Sequence, residues 1–256
     1  MDVVKGVEGL SPEHGRLFVV IGVFDGLHRG HAYLLRHLRR AAGRSAARPT
    51  VITFDHHPDE VITGSAPPLL LDPDERLERL AASGVAVTVV QHFDEAVRRT
   101  PYDVFVERIR TRVELAGFLM TPDAAFGFER RGTPETLAEL GRRDGFEVVV
   151  VPPSTLDGRP IRSSDVRAAI AAGDLAQARR LLGRDVTLTG RAEHDRAVTG
   201  LRFELPMALP PAGRYRALIG RRARELEVLG DGMARVHPAL GAAADGDRVR
   251  VRLVAG

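Results

Sequence analysis

The residues Gly22-Val23-Phe24-Asp25-Gly26-Leu27-His28-Arg29-Gly30-His31 carry the densest chemistry in the chain. They close the apolar run Phe18–Phe24 (FVVIGVF) and open a segment with helical spacing. A buried parallel strand therefore hands over to a helix here, at the usual ligand crevice of an open α/β sheet. Gly26 and Gly30 permit a tight turn and close backbone approach. His28 and His31 stand three apart, so on a first helical turn both imidazoles can face one point. Free amides at that helix start add positive potential suited to phosphate. Such a site suits nucleotidyl transfer. A phosphate oxygen of one substrate attacks the α-phosphorus of a nucleotide, pyrophosphate leaves, and the protein stabilises developing charge without a covalent link. An isolated HxxH pair is more often a surface helix with solvated histidines, and a two-histidine metal site lacks a third ligand nearby in sequence. Here the glycines, the spacing and the strand-to-helix setting agree on phosphate.

A second stretch, Ile161-Arg162-Ser163-Ser164-Asp165-Val166-Arg167, places two hydroxyls and free amides at a helix start, with a fixed positive charge on its first turn. Ser163, Ser164 and Arg167 suit triphosphate oxygens; either serine also suits an ordinary N-cap, and the two uses are compatible. Other positions keep more than one reading. Asp123 faces a metal ion, a ribityl hydroxyl or solvent; Phe126-Gly127 is a packed turn or a ligand wall. His57-Pro58, following a strand, contacts substrate or is a satisfied structural histidine. Arg130 and Arg131 fall in a loop, solvated or near a phosphate.

Taken in order, these stretches resemble the adenylyltransferase module of prokaryotic FAD synthetases, the bifunctional riboflavin kinase/FMN adenylyltransferases of the wider HxGH nucleotidyltransferase superfamily. The first matches GxFDGxHxGH. Thr53-Phe54-Asp55-His56-His57-Pro58 is similar to TFxPHP with His56 in place of Pro. Asp123-Ala124-Ala125-Phe126-Gly127 with Gly132 is similar to DFxFGxxxxG, with Ala124 in place of an aromatic. Residues 161–167 are similar to ISSTxIR, with Arg162 for the first Ser and Ser164 for Thr. Residues 169–184 are similar to ALxxGDxxxAxxLLGR. The resemblance spans about residues 16–185.

It implies transfer of AMP from ATP to FMN, giving FAD and pyrophosphate, with Mg2+ bound to the nucleotide. His28 and His31 then stabilise the phosphates in the transition state. Gly22, Phe24, Asp25, Gly26, Gly30, Arg162, Ser163, Ser164 and Arg167 bind the nucleotide, and His57, Pro58, Asp123, Phe126 and Gly127 bind the acceptor. No protein ligand to a metal is implied. The departures at His56, Ala124 and Arg162 leave two alternatives: adenylyl or cytidylyl transfer to another phosphorylated small molecule, or a non-catalytic nucleotide or flavin binder. In the resembled family the C-terminal part is a riboflavin kinase barrel with a GFPTAN segment and a Glu base. Leu188-Thr189-Gly190 and Leu209–Tyr215 resemble its flanks, but Arg191–Ala208 between them has no GFPTAN, and the chain stops short of the usual barrel length. A shrunken barrel without kinase chemistry is expected.

Elements must position these residues. Phe18–Phe24, Pro49–Phe54, Val85–Val90, Gly117–Met120 and Phe146–Val151 read as buried strands. His31–Gly43, Asp74–Ser83, Pro101–Ala116 and Thr133–Asp144 alternate with them as helices. Gly117 reads as a helix stop, and Thr133 as an N-cap without a full capping box because Thr136 stands where Glu or Gln would. Such alternation predicts an α/β fold, a doubly wound parallel sheet of Rossmann-like nucleotidyltransferase type. Two short helices, Ser164–Ala171 and Asp174–Leu182, follow. Short alternating runs after Val186, such as Arg248–Leu253, predict a second, small antiparallel β-barrel. The boundary is placed near Arg184, giving domains 1–185 and 186–256.

Composition sets the outer limits. At 256 residues with 44% hydrophobic content the chain can bury a substantial core. No cysteine is present, which excludes disulfides, thiolate metal sites and cysteine nucleophiles. Lys5 is the only lysine, so no catalytic lysine is expected within a folded element. No apolar run is long enough to span a bilayer, and residues 1–6 lack a signal-peptide layout, so no membrane partner and a cytoplasmic location are expected. The net charge of +3 comes without a dense basic block, so nucleic acid is not an expected partner. Expected partners are ATP and FMN or another phosphorylated small molecule; the oligomeric state is left open.

Overall fold

A computed structural model describes residues 1–195, 198–230, 232–240 and 246–255. They fall into two compact units. The first comprises Met1–Phe24, Gly30–Pro67 and Leu77–Thr155; the second comprises Asp25–Arg29, Pro68–Arg76 and Leu156–Gly256.

The first part of the chain runs β1 (Asp2–Lys5), β2 (Arg16–Ile21), α1 (Arg29–Arg44), β3 (Arg48–Phe54), α2 (Asp59–Thr63), α3 (Pro73–Ala82) and β4 (Val87–Gln91). It continues through α4 (Glu95–Arg98), α5 (Tyr102–Arg110), β5 (Glu114–Met120), α6 (Pro134–Asp144) and β6 (Glu147–Val150). The six strands form one parallel sheet in the order β1-β4-β3-β2-β5-β6. Leu17, Phe18, Val19 and Val20 of β2 are all buried, as a strand covered on both faces requires. The order changes direction between β2 and β5. The crevice at their C-terminal ends is therefore the switch point of the sheet, and Gly22 and Thr121 are the first residues beyond it.

Three sequence expectations need correction in this unit. β1 was not foreseen, and it contains Lys5, so the only lysine does lie in a folded element, at an exposed position. The helix expected over Pro101–Ala116 ends at Arg110, and Glu114–Met120 is a strand. Burial of Leu115, Phe118 and Leu119 and pairing on both sides outweigh the helical pattern there. Gly117 is thus a strand glycine: a Cβ on it would stand 2.5 Å from the Glu147 carbonyl oxygen and 2.8 Å from the Phe18 ring. Finally, a reciprocal cap does form at α6. The Thr136 amide donates to Thr133 Oγ1, and Thr136 Oγ1 accepts from the Thr133 amide at 3.0 Å, a hydroxyl serving where a carboxylate usually does.

The chain passes from the first unit to the second at two two-residue strands, β7 (Thr155–Leu156) and β8 (Arg159–Pro160). Then come α7 (Ser163–Ala171), α8 (Leu175–Leu182), β9 (Val186–Asp195), β10 (Val198–Arg202), β11 (Gly213–Ile219), β12 (Arg222–Val228), β13 (Met233–His237) and β14 (Arg248–Leu253). The six strands β9–β14 close into an antiparallel barrel in the order β10-β13-β12-β11-β14-β9. Along β14, Val249, Val251 and Leu253 are buried while Arg248, Arg250 and Arg252 are exposed, as the alternation predicts. The short strand β13 was not foreseen. Helices α7 and α8 place Val166, Ile170, Leu175, Leu181 and Leu182 in the same apolar cluster as barrel residues such as Leu188, Leu226 and Val251. Both halves of the expected architecture, the parallel sheet with helices and the small closed barrel, are present. Among the described residues no helix is long and apolar enough to cross a membrane.

Candidate functional site

In the second unit the chain turns through a 3-10 segment, Asp25–Leu27. Gly26 adopts φ 79°, and a Cβ there would lie 2.7 Å from Leu70 Cδ1, so glycine is required by backbone and by space. Leu27 also takes a positive φ of 37°, a strained conformation of the kind held only where surroundings over-determine it. The surroundings are visible. Asp25 is 2% exposed and its carboxylate accepts the Leu70 amide at 3.0 Å and the Leu71 amide at 3.2 Å. Arg167 Nη2 donates to the other Asp25 oxygen at 2.6 Å, and Arg167 Nε donates to the Pro68 carbonyl at 2.8 Å. Ser163 Oγ donates to the Asp25 carbonyl at 3.0 Å. Arg184 donates to the carbonyls of Gly26 at 2.6 Å and Leu27 at 3.2 Å. In trans peptides N–H opposes C=O, so the amides of Leu27 and His28 point away from Arg184.

His28 follows this turn and is 4% exposed. Burial, and then the nearby Arg184 and Arg167 guanidiniums, push its pKa down to about 4. At neutral pH the ring is uncharged and has a single N–H to donate. Arg162, not a serine, occupies the N-cap position of α7, and its backbone amide donates to Asp165 Oδ2 at 3.3 Å. Ser163 is therefore released from capping for its bond to Asp25, while Ser164 and the Arg162 side chain are exposed.

In the first unit Gly22 and Phe24 follow β2, and Gly30 and His31 lie in the first turn of α1. Phe24 is 1% exposed with φ 53°, and its ring lies 5.0 Å from the His31 ring, tilted by 47°. A Cβ on Gly22 would meet the Phe24 ring at 3.1 Å, so the small residue makes room for that aromatic. Thr53 Oγ1 donates to the Val23 carbonyl at 2.9 Å, tying the segment to β3.

The residues expected at the acceptor follow β3 and β5 of the same sheet. His57 Nδ1 accepts the Asp59 amide at 3.2 Å, and Pro58 precedes α2. Asp123 is exposed and accepts from Thr121 Oγ1 at 2.8 Å. Phe126 packs against Phe118 and Phe105, each with ring centres 6.0 Å away. A Cβ on Gly127, at φ 76°, would lie 2.7 Å from Tyr102 backbone atoms. Phe105, Phe118 and Tyr102 thus pack against this pair. Sequence reasoning missed Arg184 as a group holding the turn, and it missed that Asp55, His56 and His92 come together. The missing signal is distance along the chain: Arg184 lies 158 positions from Gly26, and His92 lies 37 from Asp55.

A sequence model of the FAD synthetase family matches residues 10–165. A bifunctional riboflavin kinase/FMN adenylyltransferase of Pseudomonas fluorescens is 33% identical over 195 residues, 76% of this chain and 63% of that protein. The protein of the same description from Escherichia coli K12 is 30% identical over 240 residues, 91% of this chain and 74% of its own length. The match to the Pseudomonas relative thus spans less than two thirds of that protein. A crystal structure described as a macrolide-efflux protein from Streptococcus pneumoniae superposes with a TM-score of 0.80 at 23% identity, covering 98% of this chain and 88% of that one; it shows the shared fold alone. With the motif in place after β2 and both fold components present, the chain belongs to the FAD synthetase family.

Proposed function

We propose that the chain transfers AMP from ATP to FMN, forming FAD and releasing pyrophosphate. The observation that carries this reading is the buried Asp25–Leu27 turn, fixed by Arg167, Ser163 and Arg184 and followed by a neutral His28. Membership of the family, and relatives described as FMN adenylyltransferases, support it. A phosphate oxygen of FMN attacks the α-phosphorus of ATP. As that bond forms, the bond from α-phosphorus to the bridging oxygen breaks, and pyrophosphate leaves with the electron pair. Magnesium enters with ATP as part of the substrate. The protein's task is to place donors where negative charge grows. His28 supplies its ring N–H and His31 a second donor from the start of α1. Ser164 and Arg162, exposed at the start of α7, hold the triphosphate, Ser163 and Arg167 act on it through the turn they fix, and Gly22, Phe24, Gly26 and Gly30 shape the backbone around it. Asp25 acts as a positioning residue, since its carboxylate is committed to Arg167 and two amides. His57, Pro58, Asp123, Phe126 and Gly127 take the acceptor side, with residues 1–185 as the transferase part and 186–256 as the barrel.

Incubation with magnesium, ATP and FMN, with FAD and pyrophosphate followed by chromatography, tests the reading. Replacing both His28 and His31 by Ala should lower turnover by roughly two to four orders of magnitude with the circular dichroism unchanged. Normal turnover in that variant removes the mechanism. His56, Ala124 and Arg162 depart from the family pattern, so product from another phosphate ester and none from FMN would reassign the acceptor. We also read the barrel as lacking riboflavin kinase activity, because Arg191–Ala208 contains no threonine-asparagine pair to hold magnesium and phosphate. FMN formed from riboflavin and ATP would overturn that.

A further inference from the structure

We propose that Asp55, His56 and His92 form a binding site for a late first-row divalent cation, with Zn2+ the fitting occupant. Neighbouring parallel strands bring the three together. β3 and β4 pair through Phe54 and Gln91, and the Asp55 amide donates to the Gln91 carbonyl at 3.2 Å. Asp55 and His92 are thus the next residues on two adjacent strands, set side by side by the sheet register, and His56 follows Asp55 directly. The Asp55 carboxylate lies 2.7 Å from His56 Nδ1 through one oxygen and 2.6 Å from His92 Nδ1 through the other. The two imidazoles meet edge to face with ring centres 5.4 Å apart. One ligand atom from each residue lies within 4.8 Å of the other two. In a tetrahedral zinc site, bonds of about 2.0–2.1 Å put donors roughly 3.4 Å apart, so closing on an ion needs only small side-chain rotations.

The donor set selects the metal. Two imidazoles and one carboxylate suit Zn2+, Co2+ or Ni2+, whereas Mg2+ prefers oxygen ligands and keeps its waters. The cluster is partly open, with His92 67% and Asp55 40% exposed, so an ion reaches it without any opening of the fold and keeps a water-filled coordination position. Ligation displaces the proton now shared between the Asp55 carboxylate and His92 Nδ1. His56 stands where the family pattern has Pro, so this ligand is a departure of this chain from that pattern. An ion held there also fixes the segment leading to His57 and Pro58 at the C-terminal edge of the sheet. The inference does not depend on the proposed transfer reaction.

The test uses the full chain after chelator treatment, in buffer with excess Mg2+. Calorimetric titration with Zn2+ should give one site per chain, and Co2+ should give the visible absorption of a low-coordinate nitrogen-oxygen site. Separate His56→Ala, His92→Ala and Asp55→Asn variants, checked for folding by circular dichroism, should each weaken Zn2+ binding by at least about tenfold and lose the Co2+ spectrum. Zn2+ should raise the melting temperature of the parent chain and not of His92→Ala. Failure of the parent chain to take up Zn2+, or uptake with unchanged affinity in both histidine variants, overturns the assignment.

Discussion

At the scale of single residues, His28 ties the site to stability. Burial first, then Arg184 and Arg167, hold its pKa at about 4, while in the unfolded chain it titrates near 6.5. Between those values only the unfolded chain takes up the proton. The contribution is therefore complete above about pH 6.5 and is lost as pH falls toward 4, by about 3 kcal/mol in all. Urea unfolding at neutral pH and near pH 4.5 should show a larger loss for the parent chain than for His28→Ala; parallel losses would refute it. Arg167 offers a second case. Arg167→Ala leaves the Asp25 carboxylate buried against two amides, with an expected cost of about 3 kcal/mol, and adding Asp25→Asn should recover part of it. Denaturant midpoints of the single and double variants measure this directly. The sequence drew attention to Asp25, Ser163 and Arg167 as separate motif positions. It could not reveal that they bond to one another, since 138 and 142 positions separate Asp25 from the other two. Asp25 consequently read as a nucleotide ligand, although burial commits its carboxylate to holding the turn.

Elements were legible where local pattern and tertiary demand coincide. β14 alternates in the sequence and in the barrel, and β2 is a continuous apolar run in a sheet covered on both faces. They diverge at α5. Pro101 and Gly117 look like the ends of one helix, but the sheet requires a strand beside β2, and Gly117 belongs to that strand. Its lack of a side chain serves the close pass of Glu147 and Phe18. Gly117→Ala should then cost about 1–3 kcal/mol, because a backbone carbonyl at 2.5 Å cannot rotate aside as a side chain does. A thermal midpoint equal to that of the parent would show that the strands separate freely. Short strands gave the weakest signal: β1 has four residues and β13 five, and neither has a flanking pattern that marks it apart from a loop.

For the whole molecule, reading along the chain suggests one cut near Arg184, but compactness does not follow sequence order. Asp25–Arg29 and Pro68–Arg76 group with Leu156 onward, and α7 and α8 share one apolar cluster with the barrel. Contiguous segments are all that periodicity can delimit, so a unit assembled from three pieces is invisible to it. The consequence appears in how amide protons exchange with heavy water. Protection rises and falls with cooperative units rather than with neighbours in the chain. Under increasing denaturant, amides of residues 25–29 and 68–76 should lose protection together with those of α7, α8 and the barrel, and at a different free energy from those of β2 and β3 that flank them in sequence. Mass spectrometry of peptides spanning residues 16–76 would resolve the two patterns, and a single uniform isotherm across that stretch would exclude them. If the patterns separate, the turn bearing His28 is as durable as the barrel strands are, and a destabilising change in the barrel, far along the chain, will loosen that turn along with it.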